Sequence, residues 1–307
     1  MSRQFRLWPA VLLAALLSAP LVQGAEQSSA GPQAKTKEEH DAYVEFYQEG
    51  NPEKKLALGN AFIYKYATSE FKPNVFLLIV QSQQNAKDSK KVVEWGERFL
   101  NDFPNHGSRP FVLQALMTGY QDLNDFPHTV EYAEKLLQAD PANLTAVYTI
   151  PFILSERAVA TEEEGRKREL ARAVEIAQKG LAMAKPATLT EEQWAEFQAT
   201  LHSSLGLIHL NNKDYAQSQI EYGKAIAVIN TDPILFFRAG LSYSFDKKYD
   251  PAIDLLSKSV YLKGITEIQA RTELERVYRI KHGVTTIGPE LQAALEELIK
   301  TAGSKLK

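Results

Sequence analysis

LGLIHLNNKDYAQSQIEYGKAI, from Leu205 to Ile226, and AGLSYSFDKKYDPAIDLLSKSV, from Ala239 to Val260, decide the fold when one is written above the other. Gly206 and Gly240 stand 34 residues apart, as do Tyr215 and Tyr249, Ser218 and Ala252, and Ala225 and Ser259. Self-similarity at a fixed period marks a repeat architecture, in which each unit buries its apolar face only against its neighbours. Glycine or alanine where two helices cross lets the backbones approach, because interaxial distance follows side-chain size.

The pattern resembles the tetratricopeptide repeat, whose period is 34 residues. That repeat has a bulky residue and then Leu-Gly in its first helix, an aromatic at the turn, and small, bulky and small residues in its second helix. His202, Leu205, Gly206, Tyr215, Ser218, Tyr222 and Ala225 fill those places here. One period later they are filled by Phe236, Ala239, Gly240, Tyr249, Ala252, Leu256 and Ser259. The resemblance implies an all-α chain, a right-handed superhelical solenoid of antiparallel helix pairs.

Earlier units are degenerate but keep their punctuation. EFKPN ends one at Pro73, FLNDFPNH another at Pro104 and LLQADPAN a third at Pro141, with Tyr120 and Phe126 in the expected places before it. Asp or Asn beside proline after an apolar-periodic run is a helix stop. A longer unit ends at Pro186 and keeps Ala173, Ala177 and Gly180 at small-residue spacing. Thr161 with Glu164, and Thr190 with Gln193, have capping-box form, and Asn51-Pro52 offers an N-cap followed by proline. Six helix pairs are expected over residues 36–263. Two capping helices follow within residues 264–307, the first over Thr266–His282 and closed by Gly283, the second from Pro289 to about Thr301. Repeats of this kind need their neighbours, so one continuous array is expected. Before Phe103 the period is faint, and another helical-pair solenoid is the lesser alternative for that third of the chain.

The N-terminus sets the expected compartment. Arg3 and Arg6 precede an apolar run from Leu7 to Ala19, and Val22 and Gly24 form a small-residue cleavage pattern, the layout of a secretory signal peptide. Cleavage before Ala25 is expected, and residues 25–35 read as a disordered lead-in. The apolar run is short for a span and is interrupted by Pro9. An exported protein of the periplasm or extracellular space, without stable membrane insertion after cleavage, is the reading. The chain has no cysteine, so neither a disulfide nor a thiol-linked lipid anchor can form. Its formal charge of −3 becomes −5 once two arginines leave with residues 1–24. A mildly acidic chain lacks the basic footprint of a nucleic-acid binder, so no nucleic acid is expected as a partner.

Nothing in the sequence resembles an active site. There is no G-x-S-x-G, no cysteine nucleophile and no glycine-rich phosphate loop. His202 and His209 lie seven apart, whereas helical metal pairs sit at i, i+4; both fall on packing positions of the repeat. Glu162–Glu164 open a helix, where negative charge suits the dipole, and Arg166, Lys167, Arg168 and Arg172 follow as a solvated face. No catalytic residue, cofactor or metal is expected.

The resemblance also implies a binding surface, the concave face formed by the first helix of each pair. Carried over position by position, it consists of Gln81 and Gln84 in the second unit and Gln114, Thr118 and Gln121 in the third. Ser203, Leu207 and Leu210 follow in the fifth, and Phe237, Leu241 and Ser244 in the sixth. Relatives that clamp a terminal carboxylate use Lys with Asn or Arg there, which this sequence lacks. Side-chain amides can bond the backbone of an extended peptide. The expected function is a non-catalytic scaffold that docks a protein or peptide. A carrier enclosing a lipid or small apolar ligand at the Leu207–Leu241 end is the alternative, and packing against an extra helix would use the same apolar residues.

Overall fold

The computed structural model describes residues 31–157 and 163–306. Every regular element among them is an α-helix. The helices fall into two compact units that divide between Ala146 and Val147, where the sequence suggested one array. Residues 1–24, the expected leader, and Thr161 of the first expected capping box lie outside the described residues.

The first unit holds α1 (Lys37–Gln48), α2 (Pro52–Lys65), α3 (Lys72–Asn85), α4 (Ser89–Asp102), α5 (Arg109–Asp122) and α6 (Phe126–Ala139). The second helix of each pair begins on local chemistry. The Asn51 side chain accepts from the N–H groups of Glu53 and Lys54, both at 3.0 Å, ahead of Pro52 at the first helical position. Asp88 and Asp125 cap α4 and α6 in the same way. The core follows the apolar stripes: Phe76 meets Trp95 edge-on at 5.2 Å and Phe103 at 5.6 Å, and Phe76, Trp95, Phe99, Leu113 and Leu116 are all buried. The expected lead-in is tied down over its last residues. Gln33 N–H donates to Glu70, Lys35 Nζ to the Thr68 carbonyl at 2.9 Å, and Lys35 N–H to buried Glu39.

The second unit holds most of α7 (Leu144–Arg157), then α8 (Glu163–Leu181), α9 (Glu191–Asn211), α10 (Tyr215–Val228), α11 (Pro233–Phe245), α12 (Tyr249–Leu262), α13 (Glu267–His282) and α14 (Pro289–Ser304). Thr190 and Gln193 form the expected capping box, at 3.2 and 3.0 Å. Gly283 closes α13 in the left-handed conformation. Both α13 and α14 pack on α12 around Leu256, Leu274 and Leu295. Pro151 stands inside α7, where it deletes one intrahelical hydrogen bond, and the helical pattern does not betray it.

The repeat register is visible at the glycines. A Cβ on Gly206 would lie 2.9 Å from the ring of Tyr222, and one on Gly240 would lie 2.7 Å from Leu256 Cγ. Gly96 meets Leu116 at 2.8 Å and Gly180 meets Leu201 at 2.7 Å in the same manner. The partners of Gly206 and Gly240 are the bulky residues that the repeat pattern places in the following helix, while Gly180 also meets Val147 of the preceding helix at 2.5 Å.

The intrapair turns are built alike. Lys87, Asn124, Lys213 and Lys247 take positive φ, between 58° and 61°, after α3, α5, α9 and α11. Each turn is closed by a wrapped-back N–H, such as Asp88 to the Gln83 carbonyl and Asp214 to the His209 carbonyl. Asp88, Asp125 and Asp214 then cap the second helix; Lys248 in the last pair does not.

Candidate partner-binding surface

The expected surface residues fall in both units, and each unit places its own differently. In the first unit, α3 and α5 are neighbours. Gln81 and Gln84 lie three apart on α3. Gln114, Thr118 and Gln121 lie at i, i+4 and i+7 on α5 and so share one face. Gln81 is exposed and the other four are half-buried. Phe111 continues the α5 face and is 41% exposed.

The amides on this face are free for use. No hydrogen bond among the described residues engages the side chains of Gln81, Gln84, Gln114 or Gln121, a state they share with other outward glutamines such as Gln138 and Gln178, whereas Gln83 and Gln219 are drawn into the fold. Gln83 is buried and donates to the Pro52 carbonyl at 3.2 Å. Gln219 donates to Asp246 at 2.9 Å and accepts from Lys248 at 3.0 Å. Thr118 differs from its glutamine neighbours, because its hydroxyl is turned back onto the carbonyls of Gln114 and Ala115 at 3.1 and 3.0 Å. Thr118 therefore contributes shape, with its hydrogen already given to its own helix.

In the second unit the expected surface residues are largely taken up in packing. Leu207 is 9% exposed and belongs to a cluster with Tyr222, Ala225, Leu235 and Ala239, against which Leu210 also packs. Phe237 is half-buried against the cluster of α12, α13 and α14. Ser244 is buried, donates to Glu273 at 2.5 Å and accepts from Arg276 at 2.7 Å. Ser203 and Leu241 are half-buried. The helices that follow, α10 to α14, are the cause, and α7 adds contacts beside them. Glu156 near the end of α7 holds Arg238 of α11 in a two-pronged pair, at 2.7 and 2.8 Å, and Asn211 donates to the Ser155 carbonyl at 3.3 Å. The last turn of α7 thus lies against α9 and α11 of this unit.

His202 has a partner that sequence spacing did not reveal. Its Nδ1 lies 2.5 Å from Glu221, which also takes Lys224 at 2.9 Å. Burial alone would raise the Glu221 carboxyl, but hydrogen bonds from His202 and Lys224 outweigh it and hold the group below the usual carboxylate range. His209 lies 3.5 Å from Asp214. Among the described residues no group of three or more His, Cys, Asp or Glu side chains could hold a metal ion. Lys167 pairs with Glu163 at 3.1 Å, in keeping with a solvated charged face on α8.

A second cluster, also unannounced by the sequence, joins α4, α5 and α6. Tyr120 and Tyr132 both donate to Glu97, and their rings stack at 5.4 Å. Burial and the shared carboxylate push Tyr132 up to about 12 and raise Tyr120 as well, so both hydroxyls keep their protons at neutral pH. This is a helix clamp with no poised acid or base.

No helix among the described residues is long and apolar enough to cross a membrane. No protein-family model and no curated protein sequence matches the chain. Solved structures do resemble it. A tetratricopeptide repeat protein from Parabacteroides merdae, 13% identical, covers 87% of this chain with 98% of its own at a TM-score of 0.50. PilF of Pseudomonas aeruginosa, 13% identical, covers 76% with 90% of its own at 0.50. YrrB, a tetratricopeptide repeat protein with an unusual peptide-binding site, is 12% identical and covers 70% with 99% of its own, also at 0.50.

Proposed function

We propose that this chain, whose fold is that of the tetratricopeptide repeat proteins, is a non-catalytic scaffold that docks an extended peptide segment of a protein partner on the α3–α5 face. The observation that carries the reading is the row of unengaged glutamine amides, Gln81, Gln84, Gln114 and Gln121, beside exposed Phe111. An amide offers both a donor and an acceptor, which is what an extended backbone presents in return. Phe111 adds an apolar anchor of the kind that dominates binding energy at interfaces. The face has no Lys–Asn or Lys–Arg clamp, so the segment is held along its backbone and not by a terminal carboxylate. The peptide-binding site of YrrB gives precedent on this fold. The N-terminal pattern of Arg3, Arg6 and Val22-x-Gly24 supports action in the periplasm or extracellular space. The carrier alternative loses its lining, because Leu207 and Leu210 are taken up in packing between helices.

The test is site-specific photocrosslinking in the native host, with the reactive residue placed in turn at positions 81, 114 and 121, and at exposed Glu131 and Gln138 of α6. A common partner crosslinked from α3 and α5 and not from α6 supports the proposal. A partner reached only from α6 refutes it.

A further inference from the structure

The second and third helix pairs match at a spacing of 37 residues: α3 and α5 begin at Lys72 and Arg109, and α4 and α6 at Ser89 and Phe126. In both pairs a cation followed by proline opens the first helix. Lys72 is tied into its own pair. Its ammonium bonds Asp102, the last residue of α4, at 3.1 Å and lies over the rings of Phe76 and Phe103. In the third pair the residues that correspond to Asp102 and Phe103 are Ala139 and Asp140. Alanine offers no carboxylate, and both Asp140 oxygens are spent on the Ala142 N–H and the Asn143 amide, at 3.2 Å each. The half-buried Arg109 side chain is left without a hydrogen bond or ion pair among the described residues.

Arg109 lines a cavity of about 560 Å³ together with Leu100, Pro104, Asn105, His106 and Lys135. That volume lies within the roughly 300–1,000 Å³ of small-ligand sites. No carboxylate is among the lining residues. Ser108 N–H donates to His106 Nδ1 at 3.1 Å, so the ring proton sits on Nε2. Lys135 spends one of its three ammonium donors on exposed Glu131, at 2.6 Å. No nitrogen of Arg109 or His106 is a buried atom without a partner, so their unspent N–H groups open outward.

The lining therefore offers donors from four side chains, two of them cationic, beside an apolar wall of Leu100 and Pro104. We propose that this cavity binds the phosphate group of a small monoester, which takes the place that Asp102 holds in the preceding pair. The planar fork of Arg109 takes two phosphate oxygens and Lys135 the third. The organic part lies against Leu100 and Pro104. A carboxylate, with two oxygens and one charge, leaves part of this donor set unmatched.

The experiment is calorimetric titration of the purified full chain in about 0.15 M salt, which screens surface charge. The probes are glycerol 3-phosphate and glucose 6-phosphate, with glycerol, glucose and acetate as controls. One-site saturation by at least one phosphate ester is expected at a Kd of about 1 mM or tighter, and none by the controls up to about 10 mM. Arg109→Gln should weaken that binding about tenfold or more. Ala139→Asp, at an exposed position, restores the acid of the preceding pair. It should engage Arg109 and abolish binding, with helicity intact and the urea midpoint unchanged or raised. Absence of saturation by both esters, equal binding of a control, or an unaltered affinity in Arg109→Gln would each overturn the proposal. None of these outcomes bears on the α3–α5 face, with which the cavity shares no residue.

Discussion

Replacing Gly206 by alanine asks whether the repeat register is right, because two opposing effects must be weighed. In a solvent-facing helix the change is stabilising by about 1 kcal/mol, since glycine is a poor helix former. At Gly206 the new Cβ would sit 2.9, 2.9 and 3.0 Å from three atoms of the Tyr222 ring. That ring is fully buried and belongs to the cluster with Leu207, Leu235 and Ala239, so it cannot yield as an exposed side chain would. Overpacking of this kind costs about 1–3 kcal/mol. With the propensity gain set against it, Gly206→Ala should be destabilising by roughly 1 kcal/mol, and Gly206→Leu by more. Gly223, on the exposed side of the neighbouring helix α10, has nothing within 4 Å of the equivalent point and serves as the internal control. Gly223→Ala should be stabilising by about the full propensity gain. Urea denaturation reads both, as midpoint shifts of opposite sign at constant slope. If Gly206→Ala stabilises as Gly223→Ala does, the close crossing of α9 and α10 is wrong and the register falls with it.

Gly240→Leu meets Leu256 Cγ at 2.7 Å and should be destabilising by about 1–3 kcal/mol in the same assay. Lys213 and Lys247 hold φ near 60°, which costs a residue with a side chain roughly 1 kcal/mol, so Lys213→Gly or Lys247→Gly should each raise the midpoint by several tenths of that amount. The depressed Glu221 carboxyl gives stability that is present above its ordinary pKa and lost as pH falls through the depressed value; His202→Ala should flatten that acid limb in denaturation midpoints measured from pH 6 downward. Gln114→Ala with Gln121→Ala should weaken partner capture and leave the urea midpoint unchanged, at about 0.5–1.5 kcal/mol for each lost hydrogen bond; a shifted midpoint would mean that the amides serve the fold.

Much of the fold was legible because it is local and periodic. Thr190–Gln193 and Asn51-Pro52 announce helix starts through chemistry confined to four residues, and the structure places their caps there. Gly206 with Tyr222 and Gly240 with Leu256 were legible because the period repeats the same crossing. The positive-φ lysines of the intrapair turns carried no such mark, since lysine has no preference for that conformation and only the turn geometry imposes it. Pro151 was passed over because an interior proline in an apolar helical run leaves the periodicity intact. The candidate surface divides along the same line. Position within the repeat identified which residues share a helix face, but exposure depends on what arrives from elsewhere. Arg238 finds Glu156 from 82 residues away, and Ser244 finds Glu273 on a helix that the repeat pattern does not describe.

The same repeat positions therefore lead to opposite uses in the two units. On α11, Ser244 answers to Glu273 and Arg276, and Phe237 answers to the α12–α14 cluster, so substitution there tests stability before it tests binding. Phe237→Ala, which the sequence alone would offer as a binding variant, should instead be destabilising, by less than the roughly 3–5 kcal/mol of a fully buried phenylalanine. On α3 and α5, Gln81, Gln84, Gln114 and Gln121 answer to nothing in the described fold, although Gln83 beside them is spent on Pro52. Burial sets Gln83 apart from Gln81 and Gln84, whose amides stay available on the face proposed for docking. Leu207 and Phe237 are taken up in packing, which leaves the glutamines as the place to test for a partner.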